Sequence, residues 1–405
     1  MAEHAATRFA GTSNNRSGPF RLRLPSPKVV LISLALLLVG LLGLVLRGLE
    51  LPDPTGPYAV GRYSTSLVDM DRREAHSPGV GSDRVVPLEV WYPAQHGTGS
   101  PAGYVPDLDA ISTELAAAGE LNPLIVWSLG LVRTSTRTGA TPIESDGLPL
   151  LVFSPGNQTN VSFYAAIAED LASRGYLVVG VDHPYQVAAV RLPDGTIATY
   201  DASLDSVLAG GVEAKLDERV ADIELVLDEI LAHPAVALPA PVDTSRVGVF
   251  GHSLGGLSAA ETCRSDDRIV ACLNIDGQGN GGPFGADVED RAFDQPFMYL
   301  TKESVIHPEI ASRFEEGGIG TSRVVVPAAN HGDFSDGGLF ASAINPFDST
   351  ASSVVEVARG FTASFFDQAL NSVDEWGFDG INARTDVFVN VFPLGPRPLI
   401  PVAGN

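Results

Sequence analysis

The sequence predicts a mixed α/β fold: an eight-stranded, mostly parallel sheet flanked by helices, with an N-terminal transmembrane helix ahead of it. Three observations predict it. From about residue 58 onward, short runs rich in Val, Leu, Ile and aromatic residues alternate with stretches of helical periodicity, the pattern of strands joined by helical crossovers. A Gly-x-Ser-x-Gly turn, Gly251-His252-Ser253-Leu254-Gly255, falls between one such run and a helix. A single uncharged apolar run, Val29–Leu46, stands apart from all of them.

That run is the first element. It has no charge and only Ser33 as a polar side chain. As a helix its length is about 27 Å at roughly 1.5 Å per residue, close to the thickness of a bilayer core. A secretory signal has a shorter apolar core followed by small residues at the cut, whereas here Arg47-Gly48-Leu49-Glu50 follows. The expected reading is an uncleaved anchor over residues 29–47, with a cleaved signal as the alternative. Residues 1–47 carry Arg8, Arg16, Arg21, Arg23, Lys28 and Arg47 against Glu3 alone, a net +5, so the other 358 residues carry −28 of the total −23. The basic flank precedes the span, and the positive-inside rule then keeps residues 1–28 cytoplasmic and exports the rest. A cleaved segment would instead give a secreted protein.

Composition narrows the class further. The chain has 405 residues and is 44% hydrophobic, enough for a large core and against wholesale disorder. Its two cysteines exclude a disulfide scaffold, and no CxxC pair exists for zinc or redox work. Its acidity disfavours nucleic acid, which is bound largely through Lys and Arg. The acidic residues show no EF-hand or HExxH spacing and read mostly as solvated surface, so no metal is expected.

After a Pro/Gly linker (residues 48–57), one catalytic domain is expected over 58–385. Its first two strands, Arg62–Met70 and Arg84–Tyr92, read as antiparallel neighbours. The segment Pro101–Asp146, with Trp127 and several Leu, breaks the alternation and is a candidate cap. Strand Leu150–Ser154 leads to a helix over Val161–Arg174 that stops at Gly175, and strand Tyr176–Asp182 follows. Leu216, Val220, Ile223, Leu227 and Ile230 recur at three- and four-residue spacing and predict a helix over Val212–His233. Strand Arg246–Phe250, a helix from Leu254, and strands Ile269–Ile275, Phe297–Thr301 and Arg323–Val326 come next. A helix over Ala351–Leu370 closes the domain. The Pro-rich tail 386–405 has no assigned role.

The Gly-x-Ser-x-Gly turn carries the chemistry. A serine hydroxyl is a weak nucleophile unless it is exposed beside a base, and a sharp strand-to-helix turn exposes it. Ser253 is therefore the candidate nucleophile, with the Leu254 N–H at the helix start as an oxyanion donor. The loop after Leu150–Ser154, Pro155-Gly156-Asn157-Gln158, offers the Asn157 N–H as the second donor. Two sequons overlap this loop, at Asn157 and Asn160, and read as accidental. Of eight histidines, His4 is in the tail, His76, His96 and His183 precede the serine, His233 ends a helix and His252 lies inside the turn. His307 and His331 remain. His331 follows the last strand, where a Ser…Asp…His order places the base, so it is preferred. Asp276, ending the next strand, and Glu303, following the one after, both remain candidate acids. Gly277–Gly285 is glycine-rich but lacks a phosphate-loop pattern. Cys263 and Cys272, nine residues apart, are equally compatible with a disulfide and with buried thiols.

Four stretches then carry a resemblance: LVFSPGNQTN…YAAIAEDLASRGYLVVGVDHP, VGVFGHSLGG, LNIDG and NHGDFSD, together with the early VPLEVWYP. Together they span most of residues 60–340 and resemble the platelet-activating factor acetylhydrolase family, serine-dependent and metal-independent lipases of the α/β-hydrolase fold with dienelactone-hydrolase-like bacterial relatives. The resemblance implies that the acid follows the strand directly after the turn, which selects Asp276. It also implies an H-x-x-F-x-D context for the base, matched by His331, Phe334 and Asp336. Asn157 stands where an apolar residue is common in the family, a departure that a backbone donor tolerates. Dienelactone hydrolases proper use cysteine where this chain has Ser253.

The expected function is hydrolysis of short-acyl or oxidised lipid esters without a cofactor. A broad-specificity carboxylesterase or a polyester/cutinase-like hydrolase is the alternative, and a non-catalytic exported binding module of the same fold is the reading from another class. The outer charge of −28 favours neutral or zwitterionic esters. Oligomeric state is not legible.

Overall fold

The structure is a computed structural model. It describes residues 49–373 and 390–394, apart from 77–78, 119–121, 206–210, 233–237, 278–292, 294, 303–320 and 346–348. The chain divides into two compact units, Met1–Gly43 and Leu44–Asn405, and every described residue lies in the second. Val29–Leu46 lies outside the described residues. Among those residues no helix is long and apolar enough to cross a membrane.

The elements in chain order are β1 (Ala59–Arg73), β2 (Asp83–Ala94), β3 (Ser100–Pro101), α1 (Leu108–Ala118), α2 (Pro123–Leu129), β4 (Thr136–Thr138), β5 (Leu148–Ser154), α3 (Ala165–Ser173) and β6 (Leu177–Val181). There follow β7 (Ala189–Arg191), β8 (Ile197–Thr199), α4 (Gly211–Ala232), β9 (Val242–His252), α5 (Leu254–Ser265), β10 (Ala271–Ile275), β11 (Phe297–Thr301), β12 (Thr321–Val325), α6 (Gly337–Ile344), α7 (Thr350–Asn371) and β13 (Asn390–Leu394). Short 3-10 turns precede α3 at Val161–Tyr164 and α6 at His331–Phe334.

All eight expected strands are present, but the sheet they form has eleven, in the order β13-β12-β11-β10-β9-β5-β6-β2-β1-β4-β3. The three additional strands, β3, β4 and β13, extend its two edges. Two of them have only two or three residues, too short to leave a periodic signal. β12, β11, β10, β9, β5 and β6 run parallel, while β2 is antiparallel to β6, as is β1 to β2. The result is a mixed α/β fold with a large, mostly parallel sheet.

Strand alternation divides the core into two layers. In β5 every residue is buried, as expected for a central parallel strand covered on both faces. Leu151 and Phe153 pack with Tyr164, Phe250 and Phe366 on one side. Leu150 and Val152 pack with Ile223, Leu227 and Ala260 on the other. Four of the five apolar positions expected along α4 are buried, and Val220 is half-buried.

Three features sharpen the sequence reading. The stretch 48–57 packs on the domain over its described part: Leu49 and Leu51 are buried, the Leu51 N–H donates to Arg133 O, the Arg133 N–H donates to Leu49 O, and the Thr55 N–H donates to Asp170. The segment Pro101–Asp146 builds its own apolar cluster, in which Tyr104, Ile111, Leu115, Val126 and Leu129 pack against Ala165, Ala189 and Phe340. The acidic residues are not uniformly solvated: Glu89, Glu169, Asp170, Asp182, Asp222, Asp276 and Asp336 are all buried. Cys263 and Cys272 form a disulfide that ties α5 to β10. Of the tail 386–405 only β13 is described, paired antiparallel with β12.

Candidate active site

The parallel strands end on one edge of the sheet. The chain order reverses between β5 and β9, which are neighbours although β6, β7 and β8 intervene in sequence. A crevice at such a switch point is where open α/β sheets bind ligands. The loops after β5, β9, β10 and β12 meet there, and they carry Asn157, Ser253, Asp276 and His331.

Ser253 sits on the turn from β9 into α5 with φ 56° and ψ −124°, a backbone conformation that a residue with a Cβ adopts only under constraint. Gly251 and Gly255 make the turn possible. A Cβ on Gly251 would lie 2.2 Å from the Gly255 carbonyl oxygen, and one on Gly255 would lie 2.0 Å from that of Ser154. The Ser253 N–H donates to Ile275 O at 2.8 Å and so ties the turn to the end of β10. The next residue, Asp276, also has positive φ, 48°.

The structure brings three of the expected side chains together. His331 Nε2 is 2.8 Å from Ser253 Oγ, and His331 Nδ1 is 2.6 Å from Asp276 Oδ2. The other Asp276 oxygen accepts from Thr301 Oγ1 at 2.8 Å and from the Lys302 N–H at 3.1 Å. Burial pushes the Asp276 carboxyl up, but the hydrogen bonds from His331, Lys302 and Thr301 outweigh it and hold the group below the usual carboxylate range. Asp276 therefore stays ionised and fixes a proton on His331 Nδ1, leaving Nε2 bare towards the serine hydroxyl. His331 is half-exposed while Asp276 is buried, the arrangement of a base open to substrate with a shielded acid behind it. The rival candidates Glu303 and His307 lie outside the described residues, as does most of the loop Gly277–Gly285.

The loop after β5 is held from several sides. The Arg219 guanidinium on α4 donates to Pro155 O at 2.6 Å and to Gly156 O at 3.5 Å. Burial lowers its pKa to about 10, so it remains a cation at neutral pH. The Gln158 N–H donates to Gln186 O, and Lys215 Nζ reaches Asn157 Oδ1 at 3.3 Å. Asn160 is buried and its amide donates to Ala189 O, which fits the reading of its sequon as accidental. Among the described residues no set of three His, Cys, Asp or Glu side chains has metal-site geometry.

Several residues here were not singled out from sequence. The His252 ring lies tilted against that of His331 at 4.6 Å between centroids and hydrogen-bonds Tyr164, although from sequence it is only the variable position of the turn. Ser154, His183 and Asp222 form a second Ser–His–Asp set, with 3.0 and 2.9 Å contacts. All three are 0% exposed, so no substrate reaches them, and they serve as framework beneath the loop.

A family model described as platelet-activating factor acetylhydrolase, isoform II, matches residues 45–193, the stretch from before β1 through β7. A probable 1-alkyl-2-acetylglycerophosphocholine esterase of Arthroderma benhamiae is 29% identical over 259 residues, covering 61% of this chain and 64% of that protein. A platelet-activating factor acetylhydrolase of Cavia porcellus is 24% identical over 278 residues, 62% of this chain and 60% of its own. The chain thus spans just under two thirds of the length of these relatives. Among solved structures, a ferulic acid esterase from Streptomyces cinnamoneus shares 30% identity at a TM-score of 0.66, covering 81% of this chain and 95% of that one. The resemblance read from the four sequence stretches and these matches agree: the chain is similar to platelet-activating factor acetylhydrolases, its residues 45–193 match that family's model, and its α/β fold is consistent with that of esterases.

Proposed function

We propose that the chain is a serine-dependent carboxylic ester hydrolase working through an acyl-enzyme. The observation that carries this is the continuous contact from Ser253 Oγ through the His331 ring to Asp276 at the switch point of the sheet. Ser253 attacks the ester carbonyl while His331 Nε2 takes its proton, and the imidazolium so formed is stabilised by Asp276. The N–H groups of Asn157 and Leu254 stabilise the tetrahedral oxyanion. The leaving alcohol takes the proton back from His331, and water then repeats the cycle on the acyl-enzyme. No step requires a metal or organic cofactor.

A fluorophosphonate probe tests this directly. The full chain is expected to take the label and to hydrolyse 4-nitrophenyl acetate, and Ser253→Ala to do neither. A folded wild-type chain that stays unlabelled would overturn the reading in favour of a binding module. The substrate class we propose is short-acyl or oxidised lipid esters, supported by the similarity to platelet-activating factor acetylhydrolases. The ferulic acid esterase match over 95% of that chain favours a second reading, a broader carboxylesterase. An acyl series from acetate to decanoate separates them: a sharp decline beyond short acyls supports the first, and a flat profile the second.

We further propose that residues 29–47 anchor the chain with the catalytic domain outside the cytoplasm, a reading supported by the uncharged run and the charge split of +5 and −28. Protease added to intact cells is expected to remove the domain. Full protection would overturn the orientation.

A further inference from the structure

Behind the site, the hydrogen-bonding roles along one line of groups are forced. A backbone carbonyl only accepts, so His252 Nε2, 3.0 Å from His331 O, carries a proton and donates it. Burial, and after it the neighbouring His331, lower the His252 pKa to about 3, so its ring is neutral near pH 7 and Nδ1 is a bare acceptor. The Tyr164 hydroxyl, 2.8 Å from Nδ1, is then the donor. Its oxygen in turn accepts from the Gly156 N–H at 3.2 Å. The line runs from the loop carrying the Asn157 N–H, through Tyr164 and His252, to the backbone of His331.

We propose that Tyr164 and His252 are positioning residues whose relay holds the Asn157 oxyanion donor and the His331 base in one fixed relation across Ser253. This rests on the hydrolase reading above. Peptide planarity supplies the lever. The Pro155–Gly156 peptide is gripped at both ends, its oxygen by Arg219 and its N–H by Tyr164. The oxygen of the next peptide, Gly156 O, accepts from the Thr159 N–H at 3.3 Å, which leaves the Asn157 N–H of that trans peptide facing the opposite way. A Cβ on Gly156 would lie 3.5 Å from Ser253 Cβ, so a small tilt of the loop changes the distance from donor to reacting carbon. At the other end, the His331 carbonyl is the backbone of the base itself. Without the Tyr164 proton, His252 is free to carry its proton on Nδ1, and Nε2 then turns a lone pair onto His331 O.

Tyr164→Phe removes only the hydroxyl and keeps the ring packed on Phe153 at 4.8 Å. In the full chain this variant is expected to lose about tenfold to a hundredfold in kcat on 4-nitrophenyl acetate, less than removing an oxyanion donor outright, with KM unchanged within about threefold. His252→Gln keeps an N–H within reach of His331 O and is expected to retain more activity than His252→Phe. Because both residues act through one relay, Tyr164→Phe added to His252→Phe is expected to cost nothing further. A Tyr164→Phe chain with kcat within twofold of wild type, or losses that multiply in the double variant, would overturn the relay. Nitrogen NMR of histidine-labelled wild-type chain reads the His252 tautomer without reference to activity: a proton on Nε2 supports the relay and one on Nδ1 overturns it. A wild-type chain that takes no fluorophosphonate label overturns the hydrolase reading instead.

Discussion

Asp276 is a small side chain with many partners in the site. Its two oxygens hold His331, Thr301 and the Lys302 N–H, so replacing it with Asn turns one acceptor into a donor facing His331 Nδ1. Asp276→Asn is expected to lower kcat by about 10⁴, as loss of the correct tautomer does in a Ser–His–Asp site, and to lower the thermal midpoint at neutral pH modestly, as steady-state kinetics beside a thermal melt check. Ser253 was legible because its chemistry and its turn share one short pattern. Asp276 and Glu303 were not separable on spacing alone, since both follow strands. Only the resemblance chose between them at that stage, and the contact with His331 is tertiary. Gly255 bears on the same point. A Cβ there would meet the carbonyl oxygens of Ser154 and Pro155 at 2.0 and 2.4 Å, backbone atoms that cannot rotate away. Gly255→Ala is expected to destabilise the fold by about 3 kcal/mol, the upper part of the overpacking range, as measured by urea denaturation.

Helix α4 shows what periodicity reads and what it misses. Its apolar positions were visible in the sequence and lie in the core. Its other buried face is polar: Lys215, Arg219 and Asp222 are at most 3% exposed, and half-buried Glu218 lies on the same side. Lys215 and Arg219 hold the loop after β5 that carries Asn157. Asp222 accepts from Arg84 at 2.8 Å, from Arg72 at 2.9 Å and from His183, and these ion pairs hold its carboxyl far below the ordinary range even against burial. A hydrophobicity pattern assigns such residues to solvent, because it cannot know that their partners arrive from β1, β2 and the loop after β6. Without Asp222, Arg84 keeps Glu74 and Glu218 and Arg72 keeps Asp69, so Asp222→Ala is expected to cost less than the roughly 3–5 kcal/mol of a buried charge stripped of its only partner. A chemical denaturation midpoint unchanged from wild type would show that Glu74 and Glu218 alone satisfy Arg84.

The fold as a unit carries an opposing set of carboxyls. Burial raises Glu169 to about 8 and Asp182 and Asp336 to about 7. Tyr104 OH and the Ala166 N–H hold Asp336, and the Val161 N–H holds Asp182. In the unfolded chain these groups ionise near pH 4, so between about pH 4 and pH 8 the folded state binds more protons than the unfolded one. Stability from this set is complete below pH 4, falls as pH rises through 7 to 8, and is flat above. Asp222 and Asp276 act in the opposite sense, their contribution present above pH 4 and lost below it. The denaturation midpoint is therefore expected to be higher at pH 5 than at pH 8, and Glu169→Gln with Asp336→Asn to flatten that slope. The buried Cys263–Cys272 bridge closes a short loop, and Cys263→Ala with Cys272→Ala is expected to cost roughly 2–3 kcal/mol, read as a lower thermal midpoint.

The sequence by itself determined the class of fold and all eight long strands, and it singled out Ser253 and His331 as the candidate nucleophile and base. Those rest on local signals: alternation, helical period and a strand–turn–helix motif. Only the tertiary structure decided the eleven-strand extent of the sheet, the pairing of the two cysteines, the contact of Asp276 with His331 and the polar underside of the loop after β5. Each joins residues remote in sequence through two- or three-residue strands or buried polar partners, and neither leaves a period along the chain to read.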